Sequence, residues 1–253
     1  MKRSRLPIAT LSESLGVRCL HLDTPWIQGA MRVSKPLKLE LEYVQRMMAW
    51  MLLRDPDTLS ETRCVQLGLG AAAITKFCHG VLQAPTTAIE LNPSVVNACR
   101  RWFKLPEDDE RLSVIQMDAA VYVADERHAG SADALCVDLY DHEAASPVLD
   151  DETFYRQCHG LLAPGGVMSV NLFGRDSSFA ASTERLKAAF GDDRVAQLKP
   201  TREGNTVVLA WRGFELPPRE LMVERAETLQ NRFKLPAGKW LKLLSTFTPR
   251  ATP

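Results

Sequence analysis

The chain has 253 residues, of which 45% are hydrophobic, and its 31 Lys and Arg residues are balanced by 31 Asp and Glu residues. This length and composition suffice for one sizeable core, or for one domain with a small extension. A net charge of zero gives no global basis for binding nucleic acid or a membrane surface, and no run of about 18 apolar residues predicts a membrane span.

The first 54 residues predict a small β extension and a linking helix. The basic start of the chain lacks the apolar segment of a secretory signal. GVRCLHL and PWIQGAMRV are interpreted as a β-hairpin, and LKLELEYVQRMMAWMLL as a helix whose apolar residues nearly encircle it. We therefore expect one unit over residues 1–54 and a main α/β domain, with C-terminal helices, over residues 55–253.

From residue 64 onward, short apolar segments alternate with helical ones. The segments CVQL, TTAIEL, LSVIQM, ADALCVDL and GGVMSVNLF are interpreted as strands, and VAQLK with NTVVLAW as a closing antiparallel hairpin. Near-continuous apolar strands between helices are typical of a parallel sheet covered on both faces. The sequence therefore predicts an α/β fold with a doubly wound, mostly parallel sheet of seven strands.

The six cysteines lie far apart in the sequence without a CxxC pair, and several fall inside apolar segments. This distribution indicates reduced core residues in a cytoplasmic protein rather than a disulfide framework. No His, Cys and acidic residues have the spacing of metal ligands, so no metal site is expected.

The ends of the predicted strands carry residues that suit a nucleoside. Gly68 and Gly70 form the first strand-to-helix turn, and the next three strands end in Glu90, Asp118 and Asp138. These ends share one edge of an open α/β sheet, where ligands bind. The Glu90 carboxylate can accept two hydrogen bonds from a ribose diol, and Asp118 can accept one from an adenine amino group. The third glycine of a dinucleotide fingerprint is absent, which favours a nucleoside without phosphates, such as an S-adenosyl sulfonium.

Each of these residues also has a purely structural interpretation. The glycines suit a plain strand-to-helix turn, and Glu90 favours the N-terminus of the helix that starts near Pro93. Asp118 can cap the helix over residues 119–124. For Asp118 both interpretations stay open.

The segment CVDLYD places Asp138 and Asp141 three residues apart at the end of the fourth strand. An alkyl amine, with a pKa of about 10.4, is mostly protonated at pH 7. A carboxylate pair can bind this cation and take up its proton as the nitrogen attacks an alkyl carbon. Alternatively, Asp141 only opens a solvated loop, and Tyr140 either lines the pocket or fills a gap in the packing.

The order of the motifs at the strand ends resembles that of the spermidine synthase (polyamine aminopropyltransferase) family, which has the class I methyltransferase fold. The resemblance rests on GLG, a strand ending in Glu, a strand ending in DA, then DLYD and LAPGG. Upstream, GVRCLHLDTPWIQGAM resembles the family's N-terminal hairpin region, with Gln28 at its glutamine. LELEYVQRMM resembles its acid-x-x-Tyr segment, with Tyr43 as the tyrosine.

The resemblance implies transfer of an aminopropyl group from decarboxylated S-adenosylmethionine to an amine such as putrescine, in a homodimer. Asp138 helps to hold the amine and the reacting centre, and Asp138 or Asp141 accepts the proton. Tyr43, Tyr140 and Asp141 are expected to contact the amine. The residues expected to hold the nucleoside co-substrate are Gln28, Gly68, Gly70, Glu90, Asp118, Ala119 and Asp138.

The glycine turn departs from the family pattern. The family reads Gly-Gly-Gly-Asp-Gly-Gly where this chain reads GLGAAA, so Ala71 replaces the acid that contacts the donor's ammonium. An acid there would repel the carboxylate of intact S-adenosylmethionine, and alanine does not. The alternatives to aminopropyl transfer are therefore methyl transfer from S-adenosylmethionine to a small amine, and nucleoside binding without catalysis.

Overall fold

The computed structural model describes residues 6–140, 149–173 and 177–247. A small antiparallel sheet near the N-terminus has the order β1-β2-β3, formed by β1 (Ala9–Ser14), β2 (Val17–Leu22) and β3 (Gly29–Arg32). Strands β2 and β3 form the hairpin that the sequence predicts. Strand β1 was not predicted, because its residues are almost all exposed and lack an apolar face.

The main sheet has eight strands in the order β11-β9-β10-β8-β7-β4-β5-β6. Neighbouring strands pair in parallel through β8, β7, β4, β5 and β6. On the other side of β8, strands β10, β9 and β11 pair antiparallel with their neighbours. The predicted α/β class with its closing hairpin is confirmed, with one strand more than the seven predicted. The strands are β4 (Cys64–Leu67), β5 (Thr86–Glu90), β6 (Leu112–Gln116), β7 (Ala132–Val137), β8 (Leu162–Phe173), β9 (Val195–Leu198), β10 (Asn205–Trp211) and β11 (Leu244–Thr246).

Eight α-helices are present in the part of the chain that the structure describes, and none of them is long and apolar enough to cross a bilayer. Helix α3 begins with Pro93 and is capped by Asn92, whose side-chain oxygen accepts from the Ser94 N–H. The helices are α1 (Glu42–Met47), α2 (Ala73–Gly80), α3 (Pro93–Trp102), α4 (Ala119–Ala124), α5 (Glu152–Leu161), α6 (Ser177–Phe190), α7 (Arg219–Phe233) and α8 (Ala237–Leu243).

The linking helix is much shorter than predicted. Helix α1 covers only Glu42–Met47, and Met48–Leu53 continues as a 3-10 helix. Every residue of the 3-10 segment is at most 5% exposed, because β8, α7 and α8 surround it. Its continuous apolar sequence therefore reflects burial on all sides rather than a long amphipathic helix. The division of the chain at residue 54 stays a prediction.

The N-terminal sheet is held against the N- and C-terminal ends of α3. The Asn92 side chain donates to the Pro7 carbonyl at 2.7 Å, and the Arg18 guanidinium donates to the Trp102 carbonyl at 2.5 Å. These contacts bring β3 beside the turn that follows β4.

Lys76, on α2, is 1% exposed and lies between the two sheets. Its ammonium donates to the Phe103 carbonyl at 2.6 Å and lies 3.2 Å from the sulfur of Met31 on β3. Burial lowers the pKa of Lys76 to about 8, because the charged form is poorly solvated there.

We predict that Lys76→Met changes how stability depends on pH. Between about pH 8 and pH 10.5, the folded protein releases the Lys76 proton while the unfolded chain keeps it. The unfolding free energy of the wild type, minus that of Lys76→Met, should therefore rise by up to about 1.4 kcal/mol per pH unit. Urea titrations under reducing conditions measure this difference, in which the ionisation of the cysteines cancels. Parallel pH curves for the two proteins would contradict the prediction.

Candidate active site

The turn after β4 packs tightly against two other segments. Gly68 and Gly70 have φ angles of +84° and +50°. A Cβ atom on Gly68 would lie 2.2 Å from the Asp138 carbonyl oxygen, and one on Gly70 would lie 2.9 Å from the Gln28 carbonyl oxygen. The backbone approach to β7 on one side and to β3 on the other therefore requires glycine at position 68 and favours it at position 70.

The second half of the turn is enclosed by the N-terminal sheet. Ala71 is 2% exposed, and a Cβ atom on Gly29 would lie 2.5 Å from the Ala71 nitrogen. Ala72 adopts the left-handed conformation, with φ +56°, at the start of α2 and provides no side-chain cap. This conformation costs a residue with a Cβ atom roughly 1–2 kcal/mol, so the surrounding contacts have to stabilise the turn.

Gln66 provides such a contact from inside the sheet. Its side-chain nitrogen donates to the carbonyl oxygens of Gly68 at 2.6 Å and Leu69 at 3.4 Å. Its side-chain oxygen accepts from the Thr75 hydroxyl at 2.6 Å. The amide is 3% exposed, so it joins the turn to α2 within the core. The sequence analysis missed Gln66, although a lone amide in the apolar strand CVQL was a signal for it.

Glu90 supports the turn from the end of β5. One carboxylate oxygen accepts from the Leu69 N–H at 2.9 Å, and the other accepts from the Asn92 N–H at 2.8 Å. Burial raises the pKa of Glu90, and these backbone donors oppose the shift because they stabilise the anion. The backbone donors Leu69, Asn92 and Leu91 occupy part of the acceptor capacity of the carboxylate, and the remainder can accept from a hydroxyl of a ligand.

Asp118 forms the cap that its structural interpretation predicted. Its carboxylate accepts from the Ala120 N–H at 2.8 Å at the start of α4. The Asp118 side chain is exposed and Ala119 is buried. A contact between this corner and adenine stays a prediction.

Asp138 directly follows β7, and its carboxylate is held by two neutral donors. The Asn171 side chain donates to Oδ1 at 2.9 Å, and the Tyr43 hydroxyl donates to Oδ2 at 3.2 Å. Burial raises the pKa of Asp138, and the hydrogen bonds from Asn171 and Tyr43 oppose the increase. Burial and the neighbouring Asp138 raise the pKa of Tyr43 well above its usual value, which keeps its hydroxyl as a donor.

The remaining predicted amine ligands are differently placed. The Tyr140 hydroxyl donates to the Asn171 carbonyl at 2.7 Å, so this side chain anchors the end of β8. Asp141 lies outside the described residues, and its pairing with Asp138 stays a prediction. The sequence analysis missed Asn171, although a single amide in the strand VMSVNLF was a signal.

A narrow cleft lies between the N-terminal sheet and the edge of the main sheet. It brings together four of the predicted residues, Gln28, Tyr43, Gly70 and Asp138, and it is also lined by Gln66 and Ala71. Among its described lining residues, Asp138 is the one carboxylate. Asp138 is therefore the described residue of the cleft that would attract a cation.

We predict that Gln66→Met weakens nucleoside binding while the protein stays folded. Methionine has a similar length but cannot donate to the turn, so the Gly68 and Leu69 carbonyls lose their partner. The Kd for 5′-methylthioadenosine should rise about tenfold, equivalent to ~1.4 kcal/mol. Isothermal titration calorimetry measures this change, with Gln157→Met on α5 as the matched control. An unchanged Kd in folded Gln66→Met would refute a role for Gln66 in binding.

The chain is similar in sequence to proteins of known family. No family model matches the chain. It is 32% identical over 241 residues to a polyamine aminopropyltransferase from Chromobacterium violaceum, covering 94% of this chain and 90% of that protein. It is 26% identical over 209 residues to a human eEF1A lysine and N-terminal methyltransferase, covering 75% of this chain and 29% of that protein.

Solved structures share the fold. A probable spermidine synthase from Corynebacterium glutamicum superposes with a TM-score of 0.70 at 19% identity, over 96% of this chain and 94% of that one. Human methyltransferase-like protein 13, solved in complex with SAH, superposes with a TM-score of 0.66 at 22% identity. This match covers 85% of this chain and 96% of that one. These likenesses establish a methyltransferase-like fold, and the sequence identity to the bacterial relative extends over nearly the whole of both proteins. The chain therefore belongs to the polyamine aminopropyltransferase family.

Proposed function

We propose that this protein transfers an aminopropyl group from decarboxylated S-adenosylmethionine to a di- or polyamine such as putrescine. The observation that carries the proposal is the half-buried Asp138 carboxylate, which lines the cleft beside the turn after β4. Membership of the family supports it. The acceptor is a small amine, and neither a nucleic acid nor a membrane takes part.

The nucleoside binds along the ends of β4, β5 and β6. Glu90 accepts from the ribose hydroxyls with its remaining acceptor capacity, and the turn at Gly68 and Gly70 presents its backbone to the sulfonium. Asp118 and Ala119 hold the adenine. Gln28, from the N-terminal sheet, closes the cleft over the donor, because its carbonyl lies against the turn.

In the chemical step, the amine nitrogen attacks the methylene carbon next to the sulfonium. The new N–C bond forms as the C–S bond breaks. The electron pair of the C–S bond stays on sulfur, and methylthioadenosine leaves as a neutral molecule. The leaving group already carries a positive charge, so it needs no acid. The proton that the nitrogen loses goes to Asp138 or Asp141, and burial of Asp138 makes it a stronger base than an exposed carboxylate.

The Asp138 carboxylate also selects a cationic acceptor. A unit charge pair at about 4 Å contributes around 4 kcal/mol at an effective dielectric constant of 20. This energy is similar to the ~4–5 kcal/mol needed to deprotonate an alkyl amine at pH 7. An amine is therefore bound in preference to a neutral alcohol of the same size. Tyr43 and Tyr140 line the path of the acceptor.

We predict opposite effects of Asp138→Asn on activity and on stability. kcat/KM should fall at least about 100-fold, because the amide binds no cation and accepts no proton. At pH 7 the unfolding free energy should rise, because the folded-state pKa of Asp138 is raised by burial. A raised pKa stabilises the fold only at low pH, so this gain should vanish below about pH 3.8, where Asp138 is protonated in both states.

A control for this prediction is Asp133→Asn at the opposite end of β7. Burial acts to raise the pKa of Asp133, but the contacts with Arg63 outweigh burial and lower this pKa. This substitution should therefore reduce stability at pH 7 and leave kcat/KM unchanged. Urea unfolding and steady-state kinetics measure both effects. Equal stability changes in the two variants would contradict the assignment of Asp138 as a buried, destabilising carboxylate.

A second candidate function is methyl transfer from intact S-adenosylmethionine to a small amine. The observation that favours it is Ala71, which is 2% exposed and packed beside Gly29, so this position presents no charge to the donor. The donor's carboxylate then meets no repulsion from the turn. The sequence relationship to a methyltransferase supports the same candidate.

A product assay with both donors separates the candidates. Decarboxylated S-adenosylmethionine with mixed diamines should yield methylthioadenosine, and the yield should be lost in Asp138→Asn. S-adenosylhomocysteine formed only from the intact donor would identify a methyltransferase instead. Binding of methylthioadenosine without either product would favour the third alternative, a nucleoside-binding protein without catalysis.

The remaining properties implied by the family resemblance are part of the proposal. The protein acts as a homodimer in the cytoplasm, with the nucleoside donor as co-substrate and without a metal. Residues 1–54 form a unit that closes the cleft, and residues 55–253 form the catalytic domain.

A further inference from the structure

We propose that two asparagines, Asn205 and Asn171, act in series as positioning residues that set the orientation and the proton affinity of the Asp138 carboxylate. They connect the turn between β9 and β10 to the cleft. The inference rests on the proposed function for its kinetic consequence, but the contacts themselves are independent of the reaction.

The first contact determines where the Asp138 carboxylate points. Asn171 lies on β8, next to β7 in the sheet, and is 3% exposed. Its side-chain nitrogen donates to Oδ1 of Asp138 at 2.9 Å, opposite the Tyr43 hydroxyl on Oδ2. With both oxygens held, the carboxylate cannot rotate freely, and its remaining lone pairs are directed at the cleft.

The second contact determines which end of the Asn171 amide faces Asp138. An amide rotated by 180° would present its oxygen to the carboxylate and repel it. The Asn205 side-chain nitrogen donates to the Asn171 side-chain oxygen at 3.2 Å. This bond holds the oxygen away from Asp138 and leaves the NH₂ group as the donor.

The Asn205 backbone is fixed in turn by the β9–β10 connection. Its N–H donates to the Thr201 hydroxyl at 3.1 Å, and its carbonyl accepts from the Thr201 N–H at 2.7 Å. In the antiparallel register, Val207 is opposite Asn171 and Asn205 is opposite Phe173, so Asn205 is the diagonal neighbour of Asn171. The position of Asn205 therefore follows from the sheet register.

The surroundings of Asp138 make these donors important. Among the described residues, the titratable groups that act on it or respond to its charge are Tyr43 from α1 and Cys136 from β7, and Tyr140 acts on Tyr43. None of these is a cation. Burial raises the pKa of Asp138, and in the described part of the chain Asn171 and Tyr43 are the groups that oppose this increase. Removing the Asn171 donor should therefore favour the protonated acid.

The test is the pH dependence of kcat/KM for Asn171→Leu, Asn205→Leu and the double variant. The acid limb should move to higher pH by about one unit in Asn171→Leu, and by less in Asn205→Leu. The double variant should match Asn171→Leu, because Asn205 acts only through Asn171. Asn231→Leu, on the exposed face of α7, should leave the profile unchanged.

A direct titration separates this proposal from the proposed function. In protein labelled with ¹³C at the aspartate carboxyl carbons, the Asp138 signal is identified by its loss in Asp138→Asn. The midpoint of this titration should shift to higher pH, more in Asn171→Leu than in Asn205→Leu, as for the acid limb of kcat/KM. This shift is expected whether or not an aminopropyl group is transferred. An unmoved midpoint in folded Asn171→Leu overturns the inference, and so does an additive shift in the double variant.

Discussion

The contact between the turn after β4 and the end of β7 is the constraint on which the site depends. The Gly68 α-carbon faces the Asp138 carbonyl so closely that a side chain has no room, and the Asp138 N–H donates to the Leu67 carbonyl at 2.9 Å. The turn after β4 and the Asp138 carboxylate are thus two sides of one backbone contact. Any change that separates β4 from β7 displaces both together.

The cost of the site lies mainly in its electrostatics. The poorly solvated Asp138 carboxylate destabilises the folded protein at neutral pH, and among the described residues the neutral donors Asn171 and Tyr43 oppose this effect. A cationic acceptor would relieve that energy when it binds. In the proposed reaction, the binding energy of the amine would be used where the chemistry occurs, because the same poorly solvated carboxylate would hold the attacking nitrogen.

The turn shows how the fold accommodates a departure from the family pattern. Alanines replace the glycines and the acid, and Ala72 remains in the left-handed conformation that favours glycine. Gln66 holds the turn from below, Glu90 holds the Leu69 N–H, and Gly29 leaves room for Ala71. These contacts hold the turn in shape although position 71 carries no charge, so the choice of donor and the binding of a nucleoside can be tested separately.

The sequence by itself determined the fold class, the central strands in their order along the chain and the residues that follow them, because burial patterns and strand-to-helix turns are local signals. It also determined the family, through motifs in a constant order. Only the tertiary structure decided that α1 stops at Met47, that β1 and β11 exist and that Gln66 and Asn171 serve the site. These features depend on neighbours distant in the chain: a 3-10 segment enclosed by β8, α7 and α8, edge strands without an apolar face, and amides whose partners come from other elements.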